Sequence, residues 1–134
     1  MMRFSQVKAF TLEVLAADYP DVRVHPGPNI PDIPNRFVVW TPYGGPGLEV
    51  DGVFDARSWQ FRAVGKQNNY DSAEEVAIAL DLALIAHQSG KIGDVWVPSI
   101  QRVGGAPAAL VLDNADRTHF VCSYIASVEL ALPN

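Results

Sequence analysis

The segment from Ser58 to Ser89 constrains the fold most, because it has the pattern of a strand, a turn and a helix that is apolar around most of its circumference. The helix core, Val76–Ala86, contains a single charged residue, Asp81. On a helical wheel, Glu74, Asp81 and Gln88 recur every seven residues and fall in one narrow seam. The remaining surface of such a helix needs cover from a sheet, another helix or another subunit.

Local signals predict the ends and the two apolar faces of this helix. Ser72 followed three residues later by Glu75 has the spacing of a capping box, and Gly90 is placed as a left-handed C-cap. One apolar stripe, Val76, Leu80, Ala83 and Leu84, is expected to pack on the sheet. The other, Ile78, Leu82 and Ile85, is expected to meet the first helix or an adjacent subunit. The alternative, in which one subunit covers both stripes, stays open.

The rest of the chain predicts a second helix and several strands. An amphipathic pattern predicts a helix over Phe4–Ala17 that stops before Pro20. The segment Arg36–Thr41 is apolar on both faces, so a position covered on both sides is expected. The other strands are expected at Val22–His25, at Ser58–Val64, at Val95–Val103 with a break or bulge at Pro98, and at His119–Leu130.

Three connections stand out by composition. Pro26–Asn35 holds four prolines, which favour a stiff loop. Pro42–Arg57 holds four glycines and two prolines and predicts a long excursion, with an extended hairpin around Asp51-Gly52 as one form it could take. Gly104–Arg117 predicts a second long connection. The resulting order, α-β-β-β-α-β-β over residues 1–134, predicts a single α+β domain. Its sheet would be mixed or mainly antiparallel, with about five strands and both helices on one face.

Composition excludes several functional classes. The net charge is −5 and the ten basic residues are scattered, so no specific nucleic-acid binding is expected. No apolar run reaches the roughly 18 residues that a membrane span needs. The N-terminus lacks an apolar secretory stretch, so synthesis and folding in a cytoplasm are expected.

Candidate catalytic and metal-binding groups are sparse. Cys122 is the only cysteine, which excludes an internal disulfide and favours a small buried side chain within a strand. His25, His87 and His119 lack the spacing of a metal site, and His119 and Cys122 fall on opposite strand faces. Asp113–Asp116 lacks the glycine and glutamate of a calcium loop, so a turn is expected. Neither catalysis nor a metal or cofactor is predicted.

Three short motifs resemble a known family. Trp59-Gln60-Phe61-Arg62-Ala63-Val64-Gly65, the turn Asn69-Tyr70-Asp71-Ser72-Ala73-Glu74-Glu75 and the helix sequence Asp81-Leu82-Ala83-Leu84 are similar to the tail terminator family, also called minor tail proteins, of long-tailed bacteriophages. The resemblance is specific over about 27 residues, although the order of elements agrees over most of the chain.

The resemblance implies a structural virion protein. Such a protein forms a homo-oligomeric ring, typically a hexamer, on the last ring of the tail tube, where it stops polymerisation and docks to the head. The implied partners are the tail tube protein and a head-completion or neck protein, at the head-proximal end of the tail.

Two groups of residues are candidates for the contacts of such a ring. Candidate subunit contacts are Ile78, Leu82, Ile85 and Arg62. Candidate axial contacts are Tyr43, Leu48, Glu49, Val50, Phe54 and Arg57. Two alternatives remain. One is another ring of the head–tail junction, and the other is a small-molecule-binding or enzymatic α+β domain, in which the histidines and Cys122 would converge.

Overall fold

The computed structural model describes residues 3–49 and 54–129. Over these residues the chain forms two helices and seven strands. Their bounds are α1 Phe4–Leu15, β1 Arg23–Pro26, β2 Phe37–Glu49, β3 Phe54–Val64, α2 Tyr70–Ala86, β4 Gly90–Ile92, β5 Val95–Val97, β6 Ser99–Leu112 and β7 Thr118–Glu129.

Five of the strands form one mixed sheet in the order β1-β2-β3-β7-β6. β1 is parallel to β2, and every other pair in this sheet is antiparallel. Both helices pack on the same face of the sheet, which we call the helix-bearing face; the opposite face is the outer face. The predicted α+β class, the five strands of the main sheet and the placement of both helices are confirmed, and the two-stranded sheet of β4 and β5 is additional.

Alternation along β3 and β7 builds the main core. Trp59, Phe61 and Ala63 of β3 point toward the helices and are buried, as the period of two predicts. The inward side chains of β7 are Phe120, Cys122, Tyr124, Ala126 and Val128. Cys122 is therefore the buried strand residue that was expected, while Leu130 lies outside the described residues.

The proline-rich loop after β1 covers part of the outer face. Phe37, Val39 and Val64 form a small second core there, and Ile30 and Ile33 of the loop pack against it. On the other face of β2, Val38 and Trp40 belong to the main core. This arrangement confirms that the strand is covered on both sides.

Helix α2 begins and ends differently from the sequence prediction. Its N-cap is Asn69, whose side chain accepts a hydrogen bond from the Ser72 backbone N–H. Ser72 lies inside the first turn, and Glu75 pairs with Arg36, so the predicted capping box is wrong. The C-cap is His87 in an extended conformation, and Gly90 belongs to β4. The prediction from local spacing failed because Arg36, which is distant in sequence, forms an ion pair with the Glu75 carboxylate.

The two predicted long connections are largely strand. β2 and β3 pair as a hairpin across most of Pro42–Arg57, with an irregularity between Tyr43 and Gly47. Asp51 and Gly52 lie outside the described residues. β6 extends through Gly104–Leu112, where Ala108, Ala109, Val111 and Leu112 pair with β7 and Gly104–Pro107 falls in a register shift. A strand at the sheet edge tolerates glycine and proline, because only one of its sides must donate to the ladder.

The strand predicted across Pro98 is two separate strands. β5 stops at Val97 and pairs with β4 in a small two-stranded sheet, whereas β6 begins at Ser99 in the main sheet. Proline has no backbone N–H to donate to a ladder, which suits a point where the chain leaves one sheet for another.

Candidate functional site

Helix α2 carries one buried and one exposed apolar face. Val76, Leu80 and Leu84 are almost completely buried against the sheet, and Ala83 is half-buried. Ile78, Leu82 and Ile85 keep 49%, 56% and 43% of their surface exposed. Within residues 3–49 and 54–129 the fold therefore leaves this second stripe largely uncovered, although all three side chains are among the most apolar in proteins.

Asp81 belongs to the buried side of α2. The Tyr124 hydroxyl donates to its Oδ1 at 2.5 Å, and Arg102 Nε lies 3.3 Å from the same oxygen. The carboxylate is therefore satisfied by two groups from β7 and β6, which are distant in sequence. In the sequence, a single carboxylate within an apolar helix indicates that a buried polar partner is needed. The partners Tyr124 and Arg102 could not be identified from the sequence.

The outer face of the sheet is polar where the proline-rich loop does not cover it. The exposed Tyr43 hydroxyl donates to Gln60 Oε1 at 3.0 Å, and Gln60 Nε2 donates to Ser123 Oγ at 3.3 Å. Three strands are thus joined by a side-chain ladder. Tyr43 is accessible here for contact with another molecule.

Arg62 lies on this outer face and not beside the exposed stripe of α2. Its guanidinium lies 3.1 Å from His119 Nδ1, and His119 Nε2 lies 2.7 Å from Asp113 Oδ2. Because arginine only donates, Nδ1 accepts and the ring proton on Nε2 is donated to Asp113. The structure therefore separates Arg62 from Ile78, Leu82 and Ile85, with which it was grouped as a subunit contact.

The turn before β7 ties this cluster to the proline-rich loop. Arg117 donates to Asp113 and to the carbonyl oxygens of Pro31 and Ile33. Burial raises the pKa of Asp113, but the hydrogen bonds from His119, Arg117 and Ala115 outweigh it and lower the pKa to about 2. The segment Asp113–Asp116 is a turn, as expected, and its aspartate is engaged within the chain.

The remaining axial candidates lie along the β2–β3 hairpin. Leu48 and Glu49 are near the end of β2, where they pair with Asp55 and Phe54 of β3. The Arg57 guanidinium lies 5.8 Å from the centre of the Trp59 ring, within range of a cation–π contact. Val50 lies outside the described residues.

The chemically reactive residues have separate partners. His25 packs edge-on against Phe37, His87 contacts Phe10 and lies 3.1 Å from the Val97 carbonyl oxygen, and His119 belongs to the Asp113 cluster. Burial raises the pKa of the Cys122 thiol, which keeps it protonated and poorly nucleophilic. Across the described ranges, no three His, Cys, Asp or Glu residues are grouped to hold a metal ion. No helix there is long and apolar enough to cross a membrane.

Comparison with known proteins finds similarity in the fold alone. No family model and no curated protein matches the sequence. The fold is similar to a chain in the solved structure "Virion of native gene transfer agent (GTA) particle", with a TM-score of 0.64, 12% identity and coverage of 95% of this chain and 91% of that chain. A second solved structure is 18% identical, with a TM-score of 0.57 and complete coverage of both chains. The shared architecture thus extends over nearly the whole length.

Proposed function

We propose that this chain is a structural virion protein that forms a hexameric ring at the head-proximal end of a phage tail. The ring caps the tail tube, ends its polymerisation and offers the surface to which the head docks. The observation that carries the proposal is the fold shared over 95% of the chain with a virion chain. The exposed stripe of Ile78, Leu82 and Ile85 supports assembly, because an exposed apolar patch on a folded protein is typical of a surface that binds another protein.

A ring can end the polymerisation of the tail tube when its two axial faces have different surfaces. Tube rings stack because the top of one matches the bottom of the next, a heterologous contact that repeats without limit. A terminating ring matches the tube on one face and presents a different surface on the other. We assign the axial contacts to the β2–β3 hairpin, with Tyr43, Leu48, Glu49, Val50, Phe54 and Arg57 as the candidate residues.

A first experiment tests assembly. The purified chain, alone and mixed with tail tube protein, is examined by light scattering and negative-stain microscopy. We expect rings with a central hole and a mass that is a small multiple of 14.6 kDa. A strict monomer under both conditions would contradict the proposal.

A second experiment tests the position in the particle. Cryo-electron microscopy of intact particles is expected to show density for this fold between the last tube ring and the neck. Density elsewhere at the head–tail junction would instead favour another connector ring, a role to which the fold likeness to a virion chain lends equal support.

A third experiment tests the hairpin. Tyr43→Ala is expected to leave the subunit folded, because Tyr43 is exposed, while reducing the fraction of tails joined to heads. Ser5→Ala, at another exposed position, serves as the control. Normal joining in the Tyr43 variant would remove this residue from the axial contacts.

A further inference from the structure

The main sheet ends on two unlike edges. β6 forms one edge and is 14 residues long, whereas β1 forms the other and has four residues. A long edge strand is a template for pairing with another strand unless its side chains prevent it. Here Val103, Leu110 and Leu112 of β6 are exposed at 48%, 59% and 64%. Pro107 and two register shifts interrupt β6, so the stretches open to a second strand are Ser99–Val103 and Ala108–Leu112.

The apolar surface continues from β6 onto helix α2. Tyr70 of α2 and Leu110, Val111 and Leu112 of β6 line a shallow groove. Farther along the helix, Asp81 reaches Arg102 of β6, which identifies the flank of α2 on that side. Ile78 and Ile85 lie one turn from Asp81 toward this flank. Strand edge and helix stripe therefore form one surface, the β6–α2 edge.

The opposite edge is made by β1 and the flank of α1 above it. Phe10 and Gln6 of α1 face the other way, toward His87 and Asp94. Lys8 and Leu12, four residues apart, share the flank toward β1, and Leu12 is 40% exposed. Burial lowers the pKa of His25 in β1, and the charges of Lys8 and Arg23 lower it further. The β1–α1 edge is therefore basic.

The two edges are complementary in charge. Asp71 and Glu74 lie on the exposed flank of α2, and Lys8 and Arg23 lie on the β1–α1 edge. In the described part of the chain, none of these four side chains forms an ion pair. Each edge thus offers charges that its own subunit leaves unused.

We propose that the β6–α2 edge of one copy binds the β1–α1 edge of a second copy, with Ile78, Leu82 and Ile85 against the neighbour's α1 around Leu12. This inference rests on the proposed ring function and names its subunit contact. In the sheet order β1 runs opposite to β6, so a neighbour in the same orientation pairs with β6 antiparallel. Such a head-to-tail contact uses both edges of every subunit, and it closes into the proposed ring when the rotation between neighbours is a whole fraction of a turn.

Charge favours a second copy in the head-to-tail orientation over other partners of the β6–α2 edge. Two copies joined through β6 on both sides would leave Lys8 and Arg23 on the β1–α1 edge of each copy without a partner. An unrelated strand could cover β6 but would leave the basic edge unpartnered. A second copy in the head-to-tail orientation satisfies both edges at once.

A charge swap tests the contact in the full chain. The variant Lys8→Glu/Arg23→Glu and the variant Asp71→Lys/Glu74→Lys are each expected to lose the ring and give the subunit mass of 14.6 kDa. Combining all four substitutions is expected to restore the ring, because opposite charges face each other again. A matched control reverses Lys91 and Asp94, exposed charges of the β4–β5 region.

The outcomes separate this inference from the proposed function. Rings that persist in both two-site variants overturn the contact and leave the ring function standing. Variants that lose the ring without restoration in the four-site chain also overturn it. A wild-type chain that never forms rings, alone or with tube protein, contradicts the function itself.

A cysteine variant tests the two-fold alternative. Ala109→Cys places a thiol on exposed β6, while Cys122 stays buried. With a bismaleimide, the proposal predicts no cross-linked dimer from this variant alone. Efficient dimer formation would instead identify a β6–β6 contact and overturn the head-to-tail arrangement.

Discussion

Asp81 shows how one residue connects three elements. It is the only charge in the apolar core of α2, yet it is buried and takes a hydrogen bond from Tyr124 and an ion pair from Arg102. Burial and then the hydrogen bond to Asp81 raise the pKa of the Tyr124 hydroxyl, so the tyrosine remains a donor at all ordinary pH values. Asp81 thus links helix α2 to β6 and β7.

Removing this carboxylate should destabilise the subunit. Asp81→Ala leaves the Tyr124 hydroxyl and Arg102 without their shared acceptor, and we expect a loss of about 2–3 kcal/mol in the free energy of unfolding. Asp81→Asn keeps an acceptor for Tyr124 and should lose less. Urea unfolding at one subunit concentration measures both, with Lys91→Ala, at an exposed position, as a control expected to change stability by less than about 0.5 kcal/mol. Equal stability of Asp81→Ala and the control would contradict this role.

Asp113 should make stability depend on acidity. Its folded pKa is about 2 against an ordinary value of 3.8, so the carboxylate stabilises the fold above pH 3.8 and loses this contribution as the pH falls toward 2. The contribution at neutral pH is at most about 2 kcal/mol, since the group is partly exposed. Unfolding of wild type and Asp113→Asn at pH 7, 5, 4 and 3 should show a stability gap that shrinks on acidification. A gap independent of pH would contradict this assignment.

At the scale of elements, long-range partners decide where each element ends. Asn69 caps α2 because the Glu75 expected to reciprocate with Ser72 is held by Arg36, which also binds Asp21. The Ser72 hydroxyl instead accepts from the Lys66 backbone and donates to the Asn69 carbonyl. The cap therefore orders the turn between β3 and α2 as well as the helix.

Substitution of the N-cap tests this arrangement. Asn69→Ala should lower the free energy of unfolding by about 1 kcal/mol, because the Ser72 N–H loses its acceptor. Asn69→Asp keeps an acceptor and should stay close to wild type. Thermal or urea unfolding measures the difference. If Asn69→Ala were neutral, the cap would contribute no net stability.

The β6 strand shows the limit of local pattern. Its glycines, alanines and Pro107 have low strand propensity, so each residue taken alone favours a loop. Pairing with β7 on either side of Gly104–Pro107 supplies the hydrogen bonds and the register that propensity does not. β7 itself was predictable, because apolar residues occupy every second position of its sequence.

At the scale of the whole molecule, the subunit keeps a surface that it does not cover. The main core is complete, with Trp40, Phe61 and Leu80 fully buried, so the exposed stripe of α2 does not reflect a shortage of core. Both edges of the sheet remain open on one side. Assembly removes these surfaces from water, and its driving force grows with the apolar area covered.

Substitutions on the two faces of α2 should separate folding from assembly. Ile78→Ser/Leu82→Ser changes exposed side chains, so we expect little loss of subunit stability together with loss of the ring. Leu80→Ala opens the core and should cost about 2–5 kcal/mol. Urea unfolding and light scattering on the same preparations give both quantities. Rings of full mass in the double serine variant would exclude this stripe from the contact.

The features of this fold that depend on short-range periodicity can be read from the amino-acid sequence. It specified both helices, the alternation of β3 and β7, the double cover of Phe37–Trp40 and the α+β class, because spacings of two and 3.6 residues are local properties of the backbone. It also singled out Ile78, Leu82 and Ile85 as side chains that need a partner.

Features that depend on residues far apart in the chain became visible in the folded structure. It moved the α2 cap to Asn69, extended β2 and β6 through glycine- and proline-containing segments, and joined Asp81 to Tyr124 and Arg102. It also separated Arg62 from the exposed stripe by a whole sheet. These outcomes follow from hydrogen-bond and ion-pair partners that come together only when the sheet forms, and no spacing along the chain encodes them.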